Sequence, residues 1–147
     1  SSFFLILFLT GCSKDYIAIV NGQKILKSDF ERNFKQLKEY YLEENEVDLK
    51  KYLLEDMIVD AILLQEANKR NITVSTEAIE ESYQELISKY DSEESMLKDL
   101  ERFGFTKEQL LLDIKEQLII QEYLSGIKEV DKHIKDLLDK SEIKIVN

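Results

Sequence analysis

The 147-residue sequence contains no proline, four glycines and one cysteine. Proline and glycine are the residues that most often interrupt helices, so their scarcity favours long, uninterrupted helices. A single cysteine excludes a disulfide within the chain, so the folded domain depends on its hydrophobic core alone. Apolar residues make up 44% of the sequence, which is enough to form such a core.

Basic residues are also fewer than acidic residues. Twenty Lys and Arg residues stand against 30 Asp and Glu residues, which gives a formal net charge of −10 at pH 7. Nucleic acids and anionic lipid surfaces both favour proteins with a basic face. The composition therefore argues against nucleic acid and against electrostatic docking onto a membrane, and it predicts a well-solvated acidic surface.

Residues that could form a catalytic or metal centre are sparse. His133 is the one histidine, without a second histidine or a free thiol at ligand spacing. No glycine-rich phosphate-binding loop occurs, and the serines fall mainly at predicted helix caps, without the histidine arrangement that nucleophilic catalysis needs. We therefore predict no catalytic residue, no metal ligand and no cofactor, and we expect His133 to be a solvated helix residue.

The first 12 residues differ from the rest, because they are uncharged and their apolar run stops at Cys12. Such a run followed by small residues is typical of a secretory signal peptide. The sequence Leu9-Thr10-Gly11-Cys12 resembles the lipobox of bacterial lipoproteins, which implies cleavage before Cys12 and a lipid on its sulfur. An uncleaved membrane anchor and a buried free cysteine are the alternatives.

The predicted domain organisation follows from this boundary. The sequence starts without methionine and without a basic region, so we interpret residues 1–11 as a signal peptide truncated at its front. Residues 12–15 form the lipidated N-terminus with a short tether, and residues 16–147 form the domain.

A β-hairpin is predicted over residues 16–26. β-branched and aromatic residues flank Asn21-Gly22, the favoured pair for a two-residue type I′ turn. A lone hairpin is marginal in water, so another element must cover it. The only other β-rich run is residues 143–146, and we expect it to pair with one of the two hairpin strands.

Helical periodicity fills most of the remaining sequence. Residues 49–69 are apolar on most sides, which predicts a central helix that other elements cover. Capping boxes are predicted at residues 28–31 and 106–109, Ser75 is predicted to cap a further helix, and a last helix is expected over residues 130–140. The sequence thus predicts a mainly α fold with a small β-hairpin paired to a C-terminal strand.

Several stretches together carry a resemblance to a known family. Residues 19–30 are similar to the opening of its domain, residues 54–67 to its central helix, and residues 72–75 and 104–120 to its later helices. The family is that of the SurA and PrsA extracytoplasmic chaperones, whose N-terminal domain is related to the C-terminal domain of trigger factor. The resemblance covers residues 16–147 and implies a SurA N-terminal-like fold.

The resemblance also implies a function and a location. Many family members carry a parvulin-type prolyl isomerase domain between the penultimate long helix and the closing helix, whereas residues 123–130 here join these elements directly. We therefore expect a lipid-anchored, extracytoplasmic chaperone-like protein of a bacterial membrane that binds unfolded or secreted polypeptides without catalysis. The alternatives are an adaptor or scaffold for a single native partner, or an accessory to a separate peptidyl-prolyl isomerase.

A chaperone of this kind needs an adaptable apolar surface, to which tyrosine, phenylalanine and methionine contribute large contact areas. The aromatic residues that are hardest to place in the predicted core, together with one methionine, are therefore candidates. The candidate client-binding residues are Tyr40, Tyr41, Tyr83, Tyr90, Met96, Phe103 and Phe105. The alternative is that they are ordinary core or boundary residues.

Overall fold

The structure, a computed structural model, describes residues 14–146, and it contains three short strands and six helices within that range. The strands are β1 (Tyr16–Val20), β2 (Gln23–Leu26) and β3 (Ile143–Ile145). The helices are α1 (Lys27–Tyr40), α2 (Glu46–Lys69), α3 (Thr76–Ile87), α4 (Glu93–Glu101), α5 (Lys107–Ser125) and α6 (Val130–Lys140). The predicted mainly α fold is confirmed. The predicted signal peptide and the lipidation site at Cys12 lie outside the described residues.

The strands form one antiparallel sheet in which β1 lies between β2 and β3. Asn21 and Gly22 both have positive φ, 50° and 84°, as a type I′ turn requires. β3 pairs with β1, so that Val20 lies opposite Ile143. The predicted pairing of the β-rich run at residues 143–146 with the hairpin is therefore confirmed, and β1 is its partner.

The central helix predicted over residues 49–69 is α2, which begins slightly earlier, at Glu46. The side-chain oxygen of Asn45 accepts hydrogen bonds from the backbone nitrogens of Val47 and Asp48, which caps the start of the helix. Buried side chains occur along most of its length, because the sheet and helices α1, α5 and α6 all pack against it.

Most of the buried side chains of the described chain form three clusters. One joins the sheet to α2 around Val20 and Ile62. A second lies among α3, α4 and the start of α5 around Tyr83 and Met96, and a third joins the later parts of α2 and α5 around Tyr123. Because α2 and α5 each contribute to two clusters, these two helices hold the ends of the domain together.

Two sequence-based expectations about local structure are wrong. The helix predicted to start with a capping box at Ser28 begins at Lys27, and its N-cap, Leu26, makes no side-chain cap hydrogen bond. β2 runs straight into α1, and the Lys27 backbone nitrogen donates to the Asp15 carbonyl oxygen at 2.8 Å instead. His133 is half-buried rather than solvated, with its Nε2 atom 2.5 Å from the hydroxyl of Tyr123.

The predicted N-caps at Ser75 and Thr106 are confirmed, although the Gln109 side chain, the other half of the predicted capping box, donates to Asp113 Oδ1. Ser75 Oγ accepts a hydrogen bond from the Ala78 backbone nitrogen at 3.1 Å, and Thr106 Oγ1 accepts one from Gln109 at 3.1 Å. Over residues 14–146, no helix has the length and hydropathy that a membrane span requires.

Candidate functional site

Helix α1 is the least buried of the described helices together with α6, since neither has a fully buried side chain. The rings of Phe30 and Phe34 stack with centroids 6.1 Å apart and an interplanar angle of 2°, and both are half-buried. The Lys50 ammonium of α2 lies 5.2 Å from the Phe34 ring centroid. The Lys50–Phe34 contact joins α1 to α2, whereas the Phe30–Phe34 stack lies within α1.

Charged side chains orient α1 against the rest of the molecule. The Arg102 guanidinium donates to both carboxylate oxygens of Glu39, at 2.8 and 3.2 Å. The Arg32 guanidinium donates to Asp29 Oδ1 at 2.6 Å and lies 5.2 Å from the centroid of the Phe105 ring. The Glu39–Arg102 pair is exposed, and exposed ion pairs contribute about 0–1 kcal/mol. The Arg32–Asp29 pair lies within α1, so it is the contact of Arg32 with the Phe105 ring that links this part of α1 to the rest of the domain.

Two open clefts flank α1, and side chains of the helix, among them Tyr40, line both. The α3-side cleft lies between α1, α3 and α5, has a volume of about 710 Å³, and includes Leu86, Tyr90 and Ile114 in its lining. The α2-side cleft lies between β2, α1, α2 and α5 and has a volume of about 750 Å³. Each is large enough to receive several side chains of another polypeptide.

The α2-side cleft combines apolar walls with carboxylates. Its apolar lining includes Leu26, Leu37, Met57, Leu64 and Leu112. Its acidic lining consists of Asp29, Asp56, Asp60, Asp113 and Glu116. A cleft with this lining can hold a segment that presents both apolar and polar groups.

The environment of Asp60, Asp113 and Glu116 disfavours the charged form of their carboxyl groups. Burial and the nearby charge of Asp56 raise the pKa of Asp60 to about 6, against the hydrogen bond that Gln117 Nε2 donates to Asp60 Oδ2 at 3.1 Å. Burial raises the pKa of Asp113 and, together with the charge of Asp113, that of Glu116. Across residues 14–146, Asp60, Asp113 and Glu116 form no salt bridge.

The sequence-predicted client-binding residues divide into two groups. Tyr40 is 75% exposed and Tyr41 is 51% exposed, and half-buried Tyr90 lines the α3-side cleft. The other four are buried in the cluster among α3, α4 and α5. These are Tyr83, Met96, Phe103 and Phe105, of which Phe105 also contributes to the lining of the α3-side cleft.

Tyr83 is held in its buried position by a hydrogen bond. Its hydroxyl donates a hydrogen bond to Glu93 Oε1 at 2.8 Å, and Lys107 Nζ donates to the same oxygen at 2.9 Å. Burial, followed by the hydrogen bond to the Glu93 carboxylate, raises the pKa of Tyr83 to about 12. The side chain therefore ties α3 to the starts of α4 and α5.

Sequence reasoning missed part of the exposed apolar surface. Leu42, Val47 and Tyr52 are 79%, 74% and 60% exposed and follow Tyr40 and Tyr41 in the sequence, through the turn after α1 and into the first two turns of α2. We call these five residues the corner patch. Leu42, Val47 and Tyr52 were missed because Glu43, Glu44 and Glu46 mark this turn as solvated, although several large apolar residues beside a turn are themselves a signal of an interaction surface.

The carboxylates of the α2-side cleft were also missed. Asp56 and Asp60 are four residues apart on α2, and Asp113 and Glu116 are three apart on α5, so each pair shares a helix face. That spacing is readable from the sequence. The meeting of the two faces depends on how α2 packs against α5, which the sequence pattern does not specify.

Comparison with known proteins gives one family and two relatives. The SurA-like N-terminal domain family matches residues 3–124. The foldase protein PrsA of Caldanaerobacter subterraneus subsp. tengcongensis is 28% identical over 147 residues, covering 87% of this chain and 43% of that protein. The foldase protein PrsA of Clostridium botulinum (strain Loch Maree / Type A3) is 28% identical over 144 residues, covering 82% of this chain and 43% of that protein.

The chain thus spans less than half of the length of these curated relatives. Within the described residues, only the short segment 126–129 separates α5 from α6, so no domain interrupts the chain at this point.

Proposed function

Because the chain belongs to the SurA-like N-terminal domain family, we propose that it is a chaperone-like protein that binds unfolded or secreted polypeptides without catalysis. The observation that carries the proposal is the arrangement around α1. This shallowly packed helix lies between two open clefts of about 710 and 750 Å³, and the exposed corner patch begins at its C-terminal end.

The clefts suit an extended client segment. Each is open to solvent along one side and mixes apolar with polar lining, so that apolar client side chains can be covered while the client backbone keeps polar partners. Tyr40 borders both clefts and supplies a large apolar ring with a polar tip. Binding is expected to be modest and reversible, because an unfolded client loses conformational entropy when it is ordered.

We do not propose prolyl isomerase activity for this chain. The two relatives carry the name foldase, and the chain corresponds to less than half of each of them. The direct connection between α5 and α6 through residues 126–129 supports a contribution by binding rather than by prolyl isomerisation.

The proposed location rests on the sequence alone. The lipobox-like residues Leu9–Cys12, at the end of an uncharged apolar run, support a lipid on Cys12 that anchors the protein to the bacterial membrane, outside the cytoplasm. Clients would then be polypeptides that have just been secreted.

The proposal is tested with two assays on the same preparation. Aggregation of a reduced, denatured protein should be suppressed by stoichiometric amounts of the chain. Refolding of a substrate limited by proline isomerisation should keep its uncatalysed rate, with a time constant of tens of seconds. Acceleration of refolding by catalytic amounts would contradict the non-catalytic proposal.

A matched pair of variants locates the activity. Tyr40→Ser removes a large exposed side chain beside both clefts and should weaken suppression of aggregation several-fold. Ile145→Ser removes an exposed apolar side chain from β3, at the sheet edge opposite β2, and should leave suppression unchanged. No suppression by the unmodified chain at several-fold excess would favour an adaptor for a single native partner.

A further inference from the structure

The charges that line the α2-side cleft are unbalanced. Five carboxylates face two cationic side chains, Lys24 and Arg32. Arg32 is paired with Asp29 at 2.6 Å, and Lys24 Nζ lies 4.8 Å from the centroid of the Tyr16 ring. The other four carboxylates, those of Asp56, Asp60, Asp113 and Glu116, have no salt-bridge partner between residues 14 and 146.

These carboxylates come from two facing helices. α2 supplies Asp56 and Asp60, and α5 supplies Asp113 and Glu116. The hydrogen bond from Gln117 Nε2 of α5 to Asp60 Oδ2 of α2, at 3.1 Å, shows that the acidic faces of the two helices meet. A cationic group in the cleft would therefore be attracted by carboxylates on both sides.

Apolar side chains surround the carboxylates. Leu26 is 40% exposed at one wall, Leu112 is 46% exposed at another, and half-buried Leu37, Met57 and Leu64 complete the lining. A purely apolar occupant would take these carboxylates, of which Asp60, Asp113 and Glu116 are half-buried already, further out of water without giving them a partner, which costs free energy. An occupant that carries a cation beside its apolar groups would satisfy both parts of the lining.

From this combination we infer that the α2-side cleft selects client segments in which a lysine or arginine is flanked by apolar residues. The inference rests on the proposed function, since it names the class of polypeptide that the same site prefers. Selection comes from attraction in a partly desolvated cleft, where charges interact more strongly than on an open surface.

The charge of the chain argues against other occupants. At a net charge of −10, a second copy of the chain and an anionic lipid surface would both be repelled from this cleft. The described residues contain no cluster of three carboxylate, histidine or cysteine groups arranged to hold a metal ion. A basic amphipathic peptide is the occupant that matches both the charge and the apolar walls.

The test uses three fluorescent peptides of equal length and equal apolar content. Two central positions carry arginine in the first peptide, glutamine in the second and glutamate in the third. The arginine peptide should bind the full chain about tenfold more tightly than the glutamine peptide at low salt, and the glutamate peptide should bind most weakly. High salt should remove most of the difference between the peptides.

Two double variants provide the control, because each removes two negative charges. Asp60→Asn/Glu116→Gln removes charges within the cleft and should abolish most of the preference for arginine while the glutamine peptide still binds. Asp139→Asn/Glu122→Gln removes two exposed charges on α6 and α5 outside the cleft lining, and it should keep the preference. Circular dichroism checks that both variants keep their helical content.

The outcomes separate the two proposals. Equal binding of the arginine and glutamine peptides to the unmodified chain would overturn the charge selection and leave the proposed function intact. Equal loss of the preference in both double variants would also overturn it, since net charge rather than the cleft would then be responsible. Failure of all three peptides to bind, together with no suppression of aggregation, would overturn the proposed function as well.

Discussion

At the scale of single residues, the charged Asp60 side chain lowers the free energy of unfolding, and the hydrogen bond from Gln117 offsets only part of this effect. The carboxylate is half-buried between α2 and α5, receives a hydrogen bond from Gln117, and has its pKa raised to about 6, first by burial and then by the charge of Asp56. Above pH 6 the folded protein must keep a charge that the unfolded chain keeps at less cost. Between pH 6 and 3.8, the ordinary pKa of an aspartate, Asp60 is protonated in the folded protein and charged in the unfolded chain.

Asp60→Asn should therefore stabilise the protein at neutral pH. Asparagine is uncharged and retains an oxygen that can accept the Gln117 hydrogen bond. We expect a gain of about 1 kcal/mol in the free energy of unfolding at pH 7, after allowing for the solvent that still reaches the site. The gain should fall as the pH is lowered through 6, because Asp60 itself then becomes neutral in the folded state.

Urea unfolding at neutral and at mildly acidic pH measures this dependence. Asp139→Asn, an exposed position on α6, is the matched control and should change the unfolding free energy little at either pH. A gain for Asp60→Asn that is the same at both pH values would show that its charge is not the cause.

The aromatic residues show how far sequence reasoning reaches at this scale. The sequence analysis treats Tyr83 and Tyr40 alike, as candidate client-binding residues. Tyr83 is 1% exposed because α4 and α5 pack over it, whereas Tyr40 is 75% exposed because α1 ends at an open corner. Burial of each ring depends on contacts between elements that are distant in the sequence.

At the scale of elements, β3 completes the sheet. It pairs with β1, the Val146 backbone nitrogen donates to the Ile17 carbonyl oxygen at 2.9 Å, and half-buried Ile143 packs against the cluster around Val20. Ala18 and Val20 of β1, the central strand of this sheet, are fully buried.

Removal of residues 143–147 should destabilise the domain by several kcal/mol, a large share of the stability of a typical small domain. The expected causes are the lost hydrogen bonds along β1 and the exposure of apolar side chains near Val20. Thermal melting followed by circular dichroism measures the effect, with deletion of Asn147 alone as the control. A melting curve unchanged by the longer deletion would contradict this role of β3.

Elements were easier to predict than their junctions. The hairpin, the central helix and the last helix follow from Asn21-Gly22, from apolar residues on most sides of residues 49–69, and from the periodicity over residues 130–140. The start of α1 was mispredicted because a capping box is a local signal for a helix that begins after a loop. Here β2 continues directly into the helix, and the carbonyl oxygen of Asp15, just before β1, accepts the hydrogen bond from the Lys27 backbone nitrogen.

At the scale of the whole molecule, the proposed membrane anchor decides where the clefts act. Two or three acyl chains on one protein give stable attachment, whereas a single chain gives marginal binding. We expect metabolic labelling with a fatty acid to mark the full-length protein and not its Cys12→Ser variant. Labelling that persists in the variant would contradict lipidation at this cysteine.

The pairing of β1 with β3 has a further consequence, for the order in which the domain folds. The Glu142 backbone nitrogen donates to Asn21 Oδ1 at 2.8 Å across a sequence separation of 121 residues. Contacts so far apart carry a larger loop-closure cost than those between neighbouring helices, and they generally form late. For a chain that leaves a translocation channel with its N-terminus first, the hairpin would wait with one edge unpaired until residues 143–146 had crossed. An unpaired edge can template aggregation, so this protein would itself be vulnerable during secretion, at the stage when it is proposed to protect others.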